Sequence, residues 1–208
     1  MDKSAALPFL TPRVDSEPWY TLTWRVDGDR VRADHGYSLY GALVDALPIL
    51  KTVDWQMGTI NGAYAHGWLS LTPESTMAVR APLSIATRLS QLDGHHLRVG
   101  RGTVRIHFVE GAPLEPHPDL TARIVIFKRH HGDIGEYQFG VSMGRALERH
   151  GIQRWPDIGK RMTLRVRDVA VVGYEVTFSN LLPDHSLWLQ RHGLGSKRKM
   201  GAGVFCHG

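Results

Sequence analysis

Two hydrophobic patterns take turns along the chain. Short runs alternate apolar and polar residues or are dense in β-branched and aromatic side chains, while others repeat apolar residues at helical spacing. Trp19-Tyr20-Thr21-Leu22-Thr23-Trp24-Arg25-Val26 ends at Asp27-Gly28, which predicts a strand closed by a turn. Next, Asp34 is placed to cap a helix over residues 36–47, whose Leu39, Leu43, Ala46 and Leu47 fall on one stripe before Pro48. Strand-like runs follow at residues 53–57, 68–71 and 76–80. A helix beginning at Pro82 comes next, then strands at 96–99 and 103–109. Gly111-Ala112-Pro113-Leu114-Glu115-Pro116-His117-Pro118 has the composition of a stiff connector.

The second half repeats this order. The pattern predicts a strand at 120–127, a glycine-bearing loop, a helix at 139–150, strands at 162–167 and 169–178, and a helix at 183–191. A second glycine loop then leads to a short final strand at Val204-Phe205. Each half reads βαββαβ, which predicts an α+β fold of two tandem ferredoxin-like (RRM-like) modules, each with an antiparallel sheet covered by helices on one face. The expected division is an irregular arm over 1–18, one module over 19–115 and a second over 116–208. Sheet modules of this shape commonly bind RNA.

Composition narrows the picture little until charge is located. A chain of 208 residues carries enough apolar material for a core without staples. Its single cysteine, Cys206, excludes an internal disulfide and a cysteine-based zinc site. No secretory h-region or long apolar run is present, so a cytoplasmic location is expected. The net charge is +5, and from residue 128 onward the bases gather: Lys128-Arg129-His130-His131, then Arg145, Arg149 and Arg154, then Lys160-Arg161, Arg165 and Arg167, then Lys197-Arg198-Lys199. That is the electrostatic footprint of a polyanion binder.

The last cluster is set in glycine. Gly193-Leu194-Gly195-Ser196-Lys197-Arg198-Lys199-Met200-Gly201-Ala202-Gly203 brackets three cations with two Gly-x-Gly pairs, so the backbone can pass close to a bulky anion and turn N–H groups toward it. Neither a P-loop nor a Gly-x-Gly-x-x-Gly fingerprint is present. The alternative reading is structural: Gly193 stops a helix, and Gly201 and Gly203 make a tight turn before the last strand.

The segment from Gly193 to Phe205 resembles the glycine-rich loop of the CRISPR-associated repeat-processing endoribonucleases, within the superfamily of repeat-associated RNA-binding proteins. Ala33-Asp34-His35-Gly36-Tyr37-Ser38-Leu39-Tyr40-Gly41-Ala42-Leu43 resembles the first helix of that family's compact myxobacterial subtype. The resemblance implies a metal-independent ribonuclease that binds the stem-loop of a CRISPR repeat transcript and cuts once at its 3′ base. The ends left would be a 5′-hydroxyl and a 2′,3′-cyclic phosphate. It also implies that the protein stays with the processed guide as a subunit of an effector complex. The alternative is a hairpin-binding subunit that does not cleave.

Carried onto this chain, the resemblance makes His35 the leading general acid or base, at a helix start whose dipole disfavours the imidazolium. His66 is its rival. Tyr37 is expected to touch the 2′-hydroxyl or the scissile phosphate, with Tyr40 in support. Gly193, Gly195, Ser196, Lys197, Arg198, Lys199, Gly201 and Gly203 are expected to hold backbone phosphates, and Lys128 and Arg129 to form a second basic loop. Arg145 and Arg149 lie four apart on one helix and either track the RNA stem or sit on a solvated face. The adjacent His130 and His131 lack partners at metal-ligand spacing, so neither metal nor cofactor is expected.

Overall fold

The first strand predicted from the pattern becomes the centre of a sheet. The computed structural model describes residues 17–127, 135–167 and 169–207. In it β1 (Trp19–Gly28) pairs antiparallel with β6 (Thr76–Pro82) on one side and β8 (Gly102–Pro113) on the other. β3 (Gln56–Met57) lies outside β6, and β7 (His96–Val99) outside β8. α1 (Gly36–Ala46) connects β1 toward β3, and α2 (Leu83–Ser90) connects β6 toward β8. Without the added β7, the order β8-β1-β6-β3 is that of a ferredoxin-like module.

The second unit is built from β9 (Leu120–Val125), α3 (Glu136–Arg149), β10 (Asp157–Val166), β11 (Val169–Phe178) and α4 (Pro183–His192). Its strands run in the order β10-β11-β9, and an isolated bridge between Thr121 and Cys206 adds the fourth position beside β9. Tandem antiparallel ferredoxin-like sheets are therefore present, as the alternation of helix and strand patterns implied. A third small sheet joins β2 (Val31–Arg32) to the hairpin of β4 (Ala63–Ala65) and β5 (Trp68–Ser70).

Packing follows the periodicities. Leu39, Ala42 and Leu43 of α1 and Ile85, Ala86 and Leu89 of α2 are buried with Leu22, Trp24 and Val26 of β1 in one core. In the second core Phe139, Met143 and Leu147 of α3 meet Tyr174, Val176 and Phe178 of β11, with the Phe139 and Tyr174 rings 4.7 Å apart. A register shift between Tyr174 and Val176 changes the parity of β9. Leu120, Ala122 and Val125 consequently join the helix side, while Ile124 and Ile126 face Ala202 and Met200 of the carboxy-terminal loop.

Four local expectations are corrected. Asp34 is not the helix cap: His35 occupies that position, and the Asp34 carboxylate instead accepts the Arg165 N–H. The connector starts later than its prolines suggested, because Ala112 and Gly111 pair with Thr21 and Leu22 and carry β8 through Pro113. The expected strand at 53–57 shrinks to Gln56–Met57 behind a 3-10 turn, Pro48–Lys51. The final strand at Val204-Phe205 reduces to the single bridge at Cys206, since the Phe205 carbonyl accepts a hydrogen bond from Arg80 rather than from a strand.

Candidate active site

α1 begins where several elements converge. Its cap residue, His35, is 2% exposed. Nδ1 lies 3.0 Å from the Arg32 carbonyl oxygen, and Nε2 accepts the Ile60 N–H at 2.8 Å. Nδ1 must therefore carry the proton, which makes the ring neutral with both nitrogens engaged. Burial pushes its pKa below the usual histidine value, and the nearby Arg123 cation adds to that. In this arrangement His35 fixes the start of α1 against the segment at Ile60. Proton transfer through it requires release of the Ile60 N–H.

Two residues on, Tyr37 is half-buried and points to a different partner. Arg167 Nε donates to the Tyr37 hydroxyl oxygen at 2.8 Å, with the guanidinium carbon 5.7 Å from the ring centroid. Arg167 stands at the β10–β11 turn with φ 55, an uncommon conformation for a residue with a side chain. The Asp34 carboxylate anchors the same hairpin by accepting the Arg165 N–H. Burial raises the Asp34 pKa, an effect opposed by that hydrogen bond and by Arg123. The phenol and guanidinium come from positions 130 residues apart, so no sequence spacing reveals the pair. Tyr40 is directed elsewhere, stacked on Trp55 with centroids 6.1 Å apart.

The glycine-rich loop packs directly behind this helix start. A side chain at Gly36 would collide with the Met200 carbonyl, so only glycine allows the loop to approach α1. Within the loop, Gly193 (φ 60) and Gly203 (φ 68) cross closely: Leu194 N–H donates to the Gly203 carbonyl at 3.1 Å, and a Cβ on either glycine would strike the other strand of the loop. Several N–H groups are engaged internally, including Gly203 to Ile124 at 2.6 Å and Ser196 to Ile126 at 2.7 Å.

Two of the loop's three cations also have protein partners. Lys199 Nζ donates to the carbonyls of Leu50 at 3.0 Å and Val53 at 2.6 Å and lies 5.7 Å from the Trp55 ring centroid. Arg198 donates to the His192 carbonyl and is 3.8 Å from Asp54. Lys197, half-buried with φ 68, begins the short 3-10 turn over Arg198–Met200. Both readings of the loop thus apply to different parts of it: the glycines and Lys199 join the modules, while Gly195 is exposed and Lys197 is only half-buried.

Other expected positions lie on other elements. Arg145 and Arg149 are exposed on α3, and Arg154 Nε donates to the Ser179 carbonyl at 2.8 Å. His66 is exposed at the β4–β5 turn with φ 49, on the hairpin that pairs with β2, and the adjoining Gly67 carbonyl accepts the Ala33 N–H just before α1. Lys128, Arg129, His130 and His131 lie outside the described residues. Among the described residues no three His, Cys, Asp or Glu side chains converge as metal ligands, and no helix is long and apolar enough to cross a membrane.

Sequence reading missed Arg123. This residue lines a cleft of about 410 Å³ between the two modules, together with Thr59, Thr76, Thr121, Glu175 and Gly201. Gly201 makes the cleft continuous with the glycine-rich loop. It also missed Arg80, whose buried guanidinium donates to the Phe205 carbonyl and, at 3.2 Å, to Thr21 Oγ1. Arg80 lies on the face of β6 opposite Met77, Val79 and Ala81, so the strand's alternation alone marked it as outward.

Comparison with known proteins places the chain in a family. The chain is similar to the CRISPR-associated endonuclease Cas6 of Myxococcus xanthus strain DK1622, 34% identical over 189 residues, covering 88% of this chain and 79% of that protein. The fold matches a structure described as a Cas6-related gene from Pyrococcus furiosus with TM-score 0.62 and 14% identity, over 90% of this chain and 98% of that one. It also matches Thermus thermophilus Cse3, solved with an RNA representing a pre-cleavage complex, with TM-score 0.56 and 17% identity over 91% and 98% of the two chains. The Cas6 CRISPR family model spans residues 21–207, and the chain belongs to that family.

Proposed function

We propose that this chain is an endoribonuclease that binds the stem-loop of CRISPR repeat RNA and cuts it at the 3′ base. In this reading the 2′-hydroxyl loses its proton and its oxygen attacks the adjacent phosphorus. The bond to the 5′-oxygen breaks, and that oxygen takes up a proton. The ends are a 2′,3′-cyclic phosphate and a 5′-hydroxyl, and no water or metal ion is consumed or required. The two modules divide near residue 115, and the RNA seats over the start of α1 and the glycine loop.

The observation that carries this reading is the Tyr37–Arg167 pair. It sets a phenol and a fixed cation together at the start of α1, beside a loop bearing Lys197, in a chain related over most of its length to a CRISPR endonuclease. Arg167 stabilises charge developing on the phosphorane, and the Tyr37 hydroxyl orients the 2′-oxygen or the phosphate. His35 positions α1, Tyr40 braces it through Trp55, and Lys197 with the exposed Gly195 holds the neighbouring phosphate. Arg145 and Arg149 follow the stem. The product complex serves as a subunit of an RNA-guided effector.

A second reading, a hairpin-binding subunit that does not cleave, is favoured by one feature: both ring nitrogens of His35 are engaged and buried. Incubation with the repeat RNA of its own locus in excess chelator separates the two. Cutting of the ordinary RNA, and none of RNA with a 2′-deoxy at the cleavage nucleotide, is the expected result. Tight binding without any cutting favours the second reading, and cutting of the deoxy RNA refutes the proposed mechanism.

A further inference from the structure

The small sheet of β2, β4 and β5 carries a feature that the proposed reaction does not use. The Trp68 indole holds two guanidinium groups, Arg30 at 4.6 Å and Arg32 at 4.9 Å from its ring centroid. Arg32 and Trp68 are direct cross-strand partners. Among the described residues neither arginine has a carboxylate within ion-pair range, and neighbouring Asp29 is engaged by the Thr103 N–H at 3.0 Å. On the outer strand the exposed Ala65 pairs with Trp68, so the arginine-bearing face continues to that edge without a bulky side chain. An exposed cation–π contact contributes only about 0.5–1 kcal/mol, so two of them on one ring add little to folding. They hold two planar cations in place with no protein anion to meet them.

We infer that this sheet is a binding platform for unpaired RNA that leaves the base of the stem. The inference rests on the proposed function. Guanidinium planes held on an indole give splayed bases a surface to stack on and donate N–H groups to the phosphates between them, a combination suited to single strands, whose bases are free to stack on protein. Position supports that occupant. Gly67 of the hairpin accepts the Ala33 N–H at 3.0 Å, and the Arg32 carbonyl is the partner of His35 Nδ1, so the platform is continuous with the start of α1. Arg32 and Tyr37 are five positions apart, which limits their Cα atoms to about 17 Å. That limit is the length of about five stacked nucleotides.

The test compares two RNAs by fluorescence anisotropy: the repeat hairpin trimmed at its base, and the same hairpin with six unpaired nucleotides retained. The wild-type chain should bind the longer RNA about tenfold more tightly. In the combined variant Arg30→Gln, Arg32→Gln, with Trp68 kept to preserve packing, that preference should vanish. Affinity for the trimmed hairpin and its thermal melting point should stay unchanged. The log–log salt slope for the longer RNA should fall by about 1.4, the release expected from two single-strand phosphate contacts. A variant that retains the preference, a wild-type chain that shows none, or equal loss for both RNAs overturns the inference, and the last result would fit a surface for the stem instead. Failure to bind or cut the trimmed hairpin counts against the proposed function, whereas the preference between the two RNAs reports on the platform.

Discussion

Tyr37 and Arg167 mark the residue scale because each supplies what the other lacks, a neutral hydroxyl beside a permanent cation. Arg167→Ala and Tyr37→Phe should each slow single-turnover cleavage about 100-fold, the size typical of one lost transition-state donor, with RNA affinity within about threefold of wild type. Equal loss of binding and cleavage would instead make the pair a simple binding contact. His35 behaves differently. Its folded pKa is below the ordinary value near 6.5, so the unfolded chain takes up a proton before the folded one does. Its contribution to stability is whole above pH 6.5 and is lost as pH falls toward the folded value. Urea unfolding of wild type and His35→Gln from pH 5 to 7.5 should show a shallower acid slope in the variant. A positioning role also predicts that the glutamine, able to accept from Ile60, keeps measurable cleavage with an unchanged pH profile.

Among the elements, the carboxy-terminal loop carries two separable functions. Gly203→Ala puts a Cβ against the Leu194 carbonyl at positive φ and should destabilise the fold by about 2 kcal/mol or more. Lys199→Met removes two carbonyl contacts to the 3-10 turn region and should lower the melting temperature. Lys197→Gln should leave the melting temperature unchanged and flatten the salt dependence of RNA binding. The strand and helix spans were largely legible in sequence because local periodicity sets them, as β1 and α3 illustrate. The same reading named the loop's cations but could not assign their partners. Lys199 reaches residues 149 and 146 positions away, and such contacts leave no local pattern. The extension of β8 through Pro113 was hidden for a related reason, since pairing with β1 overrides the breaker residues.

At the scale of the molecule, two sheets become one platform through buried polar ties. Arg80 joins β6 to Phe205 and Cys206, and Gln56 donates to the carbonyls of Gln190, at 3.1 Å, and of Arg191. Arg80→Met leaves the buried Phe205 carbonyl without its donor. It should cost about 2–3 kcal/mol and split a single cooperative urea transition into two, each reporting one module. The tandem architecture was readable from the repeated order of elements, but the joint between the halves was not, because it depends on single arginine and glutamine side chains. That joint brings α1, the β10–β11 hairpin and the glycine loop to one place, so the arrangement of the modules is a condition for the site.

The claim that the reacting phosphate meets α1 and the β10–β11 hairpin together can be read out directly. Repeat RNA with 4-thiouridine at the cleavage nucleotide, made 2′-deoxy to prevent cutting, is bound, irradiated and mapped by peptide mass spectrometry. Attachment within residues 33–40 and within 165–169 is the predicted result. Attachment confined to α2 or β7, with both of those segments unmodified, would contradict it.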